Sequence, residues 1–224
     1  MTAGEVKGHG FILRVVTAQD ADIIVRILTT QGEKISAFAK AGLKSRKRFG
    51  GALEPLTQID FRATKKENQD LLYLEETQVR YEFKNLRSDF ERLTVATYFA
   101  ELTELGAQEG LENPEIYNLL GAAWKALDTG LSTLGVSRQF EVKLLSLLGW
   151  LPNFDAHSQS PVVGSQETQN IILKLLSTTI SKGEVSEEEG HQVQKITNSL
   201  FQAHLGSHKL KTTQFLGSLR RFQK

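Results

Sequence analysis

Hydrophobic and polar positions alternate through the first third of the chain and then change period. Gly10–Thr17 is apolar and β-branched with Arg14 interrupting the run, as suits a barrel strand. Asp22–Thr29 forms a second run that ends at the turn signal Gln31-Gly32, and Glu33–Lys40 then alternates with period two, which predicts a hairpin. Further on, Thr57, Ile59, Phe61 and Ala63 alternate with Gln58, Asp60, Arg62 and Thr64, so the two sets lie on opposite faces of a fourth strand. Lys66–Asp70 reads as a turn before the fifth, Leu71–Val79. Five short strands and no credible helix predict a small closed sheet, because closure removes exposed edges. An OB-fold is the expected barrel; a five-stranded SH3-like barrel shares the pattern, and strand count alone does not separate them.

From Leu86 the apolar spacing becomes three and four. Phe90, Leu93, Ala96, Tyr98, Leu102 and Leu105 form a helical stripe ended by Gly106. Asn113 and Pro114 start a helix that buries Ile116, Leu119, Leu120, Ala123, Trp124 and Leu127. Ser137 is expected to cap a third helix, which carries Phe140, Leu144, Leu145 and Leu148 and stops at Gly149. After a loop over Pro152–Gly164, Ser165 opens a helix through Ile171, Ile172, Leu175 and Leu176. Ser186 and Glu189 have capping-box spacing for a helix that runs to Gly206, and a last helix from about Thr212 carries Phe215, Leu216, Leu219 and Phe222. The expected class is α+β multidomain: an N-terminal five-stranded OB-fold β-barrel over residues 1–82, then an all-α helical domain over 83–224 with a cysteine-free loop region around 150–165.

Composition adds little until charge is placed along the chain. The formal net charge is +1, but residues 1–100 carry 16 basic and 13 acidic side chains, 101–190 carry 5 and 13, and 191–224 carry 6 and none. Two basic ends around an acidic middle suit a polyanion held at the ends, with the middle avoiding it or facing a cationic partner. With no cysteine the chain has no disulfide and no thiolate metal site, which fits a reducing compartment. The first five residues are polar or small and no apolar run reaches the roughly 18 residues of a membrane span, so a cytoplasmic location is expected.

The densest charge lies between two predicted strands, where Lys40–Gly51 holds five cations, no acid and one aromatic, Phe49. Such a segment suits a polyanion whose phosphates take the charge while bases stack; it also suits a plain solvated loop. The candidate DNA contacts are Arg14, Arg26, Lys34, Lys40, Lys44, Arg46, Lys47 and Arg48, with Phe49 as the stacking ring; Phe38 can line the same surface beside Arg26 and Lys34, although a lone aromatic in an alternating strand is more often core. Lys195, Lys209, Lys211, Arg220 and Arg221 form a second basic patch, for DNA or an acidic partner tail, or for solubility alone.

The chain carries no P-loop, no G-x-S-x-G, no H-E-x-x-H and no carboxylates clustered for a metal. Glu187-Glu188-Glu189 suits a helix N-terminus, and His157, His191, His204 and His208 lack metal-ligand spacing. No catalytic residue, metal or cofactor is therefore expected.

Four segments in order resemble the RecO family of bacterial DNA repair proteins. They are Phe11-Ile12-Leu13-Arg14, Arg48-Phe49-Gly50-Gly51-Ala52-Leu53-Glu54-Pro55-Leu56 after Lys40-Ala41, Phe140-Glu141-Val142-Lys143 through Trp150, and His204-Leu205-Gly206-Ser207-His208-Lys209-Leu210-Lys211-Thr212. The resemblance implies an OB-fold followed by a helical domain and a non-enzymatic recombination mediator, nucleoid-associated in a bacterium. Such a protein binds single- and double-stranded DNA and anneals complementary strands. With RecR, and through the acidic C-terminal tail of single-stranded-DNA-binding protein, it helps load RecA. Many members also carry a four-cysteine zinc lobe after the segment matching Leu148–Phe154. Here Asp155-Ala156-His157-Ser158-Gln159-Ser160 stands there, so no zinc site is carried over. The alternative is a protein adaptor whose barrel no longer binds nucleic acid.

Overall fold

The first strand, β1 (Gly4–Gln19), is long enough to serve two neighbours in the computed structural model, which describes residues 4–66, 69, 71–153, 164–180, 184–206 and 210–212. Its first half pairs antiparallel with β4 (Thr57–Lys65) and its second half with β2 (Asp22–Thr29), with a register shift between Ile12 and Arg14 where it changes partner. β2 continues antiparallel into β3 (Lys34–Ala39), and β4 into β5 (Leu72–Glu82). A short parallel pairing of Ala37 with Leu72 and Phe38 with Tyr73 closes the barrel in the order β1-β2-β3-β5-β4. That closed order is the OB connectivity.

Alternation sets what the barrel encloses. Ile12, Ile23, Val25, Ile27, Ile59, Phe61 and Leu74 point inward and are almost wholly buried. Burying side chains of this size contributes about 1.5–3 kcal/mol each, so the inward set fixes strand register.

β5 is followed by the short helix α2 (Lys84–Ser88), and two compact units divide the chain. One contains residues 1–84 and 100–118, the other 85–99 and 119–224, so the division runs through α3 (Phe90–Gly106) and α4 (Pro114–Asp128). The barrel unit thus includes the end of α3, the connection after it and the first turn of α4. Gly32, at φ +77°, fits this arrangement because an added Cβ would lie 1.8 Å from the Asn113 carbonyl oxygen.

The helical unit adds α5 (Thr133–Leu147), α6 (Gln166–Ser177) and α7 (Glu187–Leu205). Phe99 stacks on Phe140 at 4.1 Å, and the Trp124 indole donates to the Ala96 carbonyl at 3.0 Å. The helix expected to start at Ser137 begins earlier: Ser132 caps α5, and Ser137 is an interior residue whose hydroxyl donates to the Thr133 carbonyl. Ser165 and the Ser186–Glu189 capping box stand where expected. The backbone N–H of Ser186 donates to the Glu189 carboxylate and holds its pKa below the ordinary glutamate value. The helix expected beyond Thr212 lies outside the described residues. Among the described residues no helix is long and apolar enough to cross a membrane.

Candidate nucleic-acid interface

The segment after β3 is a folded turn closed by one helical turn, α1 (Arg46–Phe49). The Ala41 N–H donates to the Asp22 carboxylate at 2.6 Å and the Leu43 N–H to the Ala21 carbonyl at 3.0 Å, so the turn is tied to the end of the first hairpin. Gly50, at φ +52°, ends α1 in the left-handed conformation, with its N–H on the Arg46 carbonyl. The Arg48 guanidinium folds back: it donates to Ser45 Oγ and to the Lys40 carbonyl and lies 4.7 Å over the Phe49 ring.

Phe49 is 1% exposed and belongs to the barrel core, which corrects its assignment as a stacking ring. Sidedness explains this: Arg46 and Lys47 take the outer side of the single turn, and Phe49, its last residue, faces the sheet. Phe38, expected inside, instead faces outward and is partly exposed, with its ring 5.5 Å from that of Tyr73. The strand pattern already held this signal, since Phe38 shares a face with Lys34, Ser36 and Lys40 and alternates with Ile35, Ala37 and Ala39.

Lys40, Lys44, Arg46 and Lys47 are exposed, and no described acid lies within ion-pair distance of them. Lys47 and Arg48 also border a groove of about 750 Å³ on the outside of β1, β4 and β5, shared with Lys7, His9, Asp60 and Arg62. The charges of that groove are largely matched. Arg62 lies 2.8 Å from Glu75 and 2.9 Å from Glu76, and Arg80 lies 2.9 Å from Asp60, which His9 also contacts. Its hydrogen bond to Glu76 raises the pKa of Arg62 above the ordinary value and lowers that of the carboxylate.

Arg14, Arg26 and Lys34 are placed differently. Arg14 and Arg26 pair directly across β1 and β2, and Arg26 in turn pairs with Ser36 of β3. This outward row meets the end of α3 and the connection after it. Glu104 lies 3.6 Å from Arg14 and 3.9 Å from Arg26, and Glu109 lies 3.2 Å from Arg26 and accepts from the Ser36 hydroxyl. Lys34 donates to the Glu104 carbonyl at 2.6 Å, and burial pushes its pKa below the ordinary lysine value, against the pull of Glu109 and Glu104. These three cations therefore already have partners.

The family model described as recombination protein O N terminal matches residues 1–83, and that described as recombination protein O C terminal matches residues 87–165. The chain belongs to the RecO family. A DNA repair protein RecO of Anaeromyxobacter sp. (strain K) is 38% identical over 151 residues, 67% of this chain and 59% of the relative. Those of Syntrophus aciditrophicus (strain SB) and Leuconostoc citreum (strain KM20) are each 32% identical, over 66% and 72% of this chain and 58% and 60% of theirs. The chain thus spans about three-fifths of the length of these relatives.

Seen as a RecO-family segment, Arg138-Gln139-Phe140-Glu141-Val142-Lys143 serves the helical core. Arg138 and Glu141 form a buried ion pair at 2.6 Å, and Tyr98 and Thr197 also donate to that carboxylate. Burial pushes the Glu141 carboxyl above the usual glutamate range, although Arg138, Thr197 and Tyr98 oppose it. Gln139 donates to the Leu175 and Thr178 carbonyls and Lys143 to that of Leu176, capping the end of α6. A zinc site of the family's thiolate type does not fit a chain without cysteine. Of the second basic patch, Lys195 on α7 and Lys211 are exposed, whereas Lys209, Arg220 and Arg221 lie outside the described residues. His191 is exposed and the His204 ring stacks on Trp150 at 4.8 Å, while His157 and His208 lie outside the described residues.

Proposed function

We propose that this chain is a non-enzymatic recombination mediator that holds single- and double-stranded DNA by its phosphates and anneals complementary strands. The reading rests above all on the exposed quartet Lys40, Lys44, Arg46 and Lys47, which has no ion-pair partner among the described residues and stands on a turn tied to the first hairpin. Family membership supplies the context, since the named relatives are DNA repair proteins. Annealing needs no bond-making residue; it needs a cationic surface that lowers the repulsion between two strands. By the same reading the chain works with RecR and with the acidic tail of single-stranded-DNA-binding protein to load RecA, and Lys195, Lys209, Lys211, Arg220 and Arg221 are the candidate second surface.

The test is DNA binding across a salt series, together with annealing of complementary strands without ATP or metal. Replacing Lys44, Arg46 and Lys47 with Ala is expected to reduce the slope of log affinity against log salt by about 2 on single strands, at about 0.7 for each phosphate contact, and to slow annealing. An unchanged slope with unchanged annealing refutes the assignment. If the wild type neither binds nor anneals DNA, the adaptor reading takes its place.

A further inference from the structure

The register of the barrel sets a second row beside the cation row. Val16 pairs with Ile24 across β1 and β2, Ile24 with Phe38 across β2 and β3, and Phe38 with Tyr73 across β3 and β5. The inward residues on either side of these positions, Val25, Ala37, Ala39, Leu72 and Leu74, belong to the core, so the row itself faces outward. Val16 is 39% exposed, and Ile24, Phe38 and Tyr73 are partly exposed. An outward apolar row across four strands does not contribute to the barrel core.

We propose that Phe38 and Tyr73 form a stacking platform for unpaired nucleobases, with Ile24 and Val16 extending it. This rests on the DNA-binding reading above and names which part of the strand the barrel touches. Three observations favour bases over other apolar ligands. The two rings lie side by side, with centroids 5.5 Å apart and planes tilted by 53°, so the next flat group finds an aromatic edge and face together. Lys66 stands 4.6 Å over the Tyr73 ring, and the exposed Lys65 ends β4 beside it, since Thr64 is the cross-strand partner of Tyr73. An aromatic surface with an ammonium group at its border matches a strand that presents bases and phosphates at a fixed separation. The neighbouring cation row is held by Glu104 and Glu109, so binding on this face has to draw on stacking more than on charge. A duplex keeps its bases stacked on each other, so such a platform favours single strands.

The experiment uses the full chain and two fluorescent probes of equal length, an oligo-dT strand and an abasic strand with the same phosphates. Phe38→Leu and Tyr73→Leu keep apolar cover while removing the rings, and a thermal melt of each variant checks the fold. The wild type is expected to bind oligo-dT about tenfold or more tightly than the abasic strand. Either Leu variant should lose most of that ratio while keeping its affinity for the abasic strand, and Phe38→Trp should restore it, with quenching of the new indole on oligo-dT. Equal salt-dependent binding of both probes by the wild type overturns the platform alone. A ratio untouched by the Leu variants does the same and leaves the row to a protein partner. Absence of binding to either probe overturns the DNA-binding reading and the platform with it.

Discussion

Neutralising Glu104 and Glu109 should turn a closed cation row into an open one. In the double variant Glu104→Gln, Glu109→Gln, Arg14 and Arg26 lose carboxylates at 3.2–3.9 Å but keep their places on β1 and β2. The stability cost is small. Both arginines are more than a third exposed, and exposed pairs of this length are each worth about 0–1 kcal/mol. Lys34 is not released, because its partner is the Glu104 carbonyl rather than the carboxylate. Two freed guanidinium groups should therefore add about 1.4 to the salt slope on single strands, at about 0.7 for each phosphate.

A gain in affinity alone would not prove this, since removing two negative charges helps any polyanion. The discriminating comparison is a cycle with Arg14→Gln, Arg26→Gln, measured by anisotropy from low to moderate salt. In the wild-type background that pair of changes should barely alter the slope. In the neutralised background it should remove about 1.4 again. If the arginine changes reduce the slope equally in both backgrounds, Arg14 and Arg26 already reach phosphates and the acids do not hold them. If they reduce it in neither, the row never meets DNA.

Three predictions concern the cores. Glu141→Ala leaves the Arg138 guanidinium buried and unpaired and should cost about 3–5 kcal/mol in urea unfolding, whereas Arg138→Met with Glu141→Leu should recover most of that loss. Because burial raises the Glu141 pKa, the native state keeps a proton that the unfolded chain releases. Stability relative to Glu141→Gln should thus fall as pH rises from about 4.3, the unfolded value, toward the raised native one; a rise over that window contradicts the assignment. Phe49→Ala should cost about 3–5 kcal/mol through the cavity it leaves in the barrel, and a loss under about 1 kcal/mol would mean that the ring is not core.

Much of the barrel was legible because its strands are buried on one face and alternate accordingly. The expected strand between Thr57 and Thr64 is β4, and Gln31-Gly32 is the hairpin turn. Closure was not legible: it depends on pairing Phe38 with Tyr73, 35 positions apart, which no local period encodes. The same limit hid the two transverse rows, since residues share a row through register rather than spacing. The burial of Phe49 has no local signal in the sequence. A four-residue helix between glycines has no repeat from which a buried face can be inferred, so flanking charge suggested exposure. In the helical unit the apolar stripes gave α3 to α7, but a capping serine is indistinguishable from an interior one when two candidates, Ser132 and Ser137, precede the same stripe.

Charge is where sequence and structure differ most usefully. The acidic middle suggested a surface that repels polyanions or meets a cationic partner, yet many of its carboxylates have work inside the fold. Glu104 and Glu109 hold barrel cations, Glu141 neutralises Arg138, Asp128 accepts from the Leu86 N–H at 2.9 Å, and Glu189 completes a capping box. Carboxylates matched at this range contribute little field at the distance of an approaching strand, because each forms a close dipole with its partner and salt screens the remainder within about 8–10 Å. Lys40, Lys44, Arg46 and Lys47 have no such described partner, so their field is uncompensated. A polyanion therefore meets positive charge concentrated on a single turn fixed to the first hairpin, a local concentration that the formal net charge of +1 conceals.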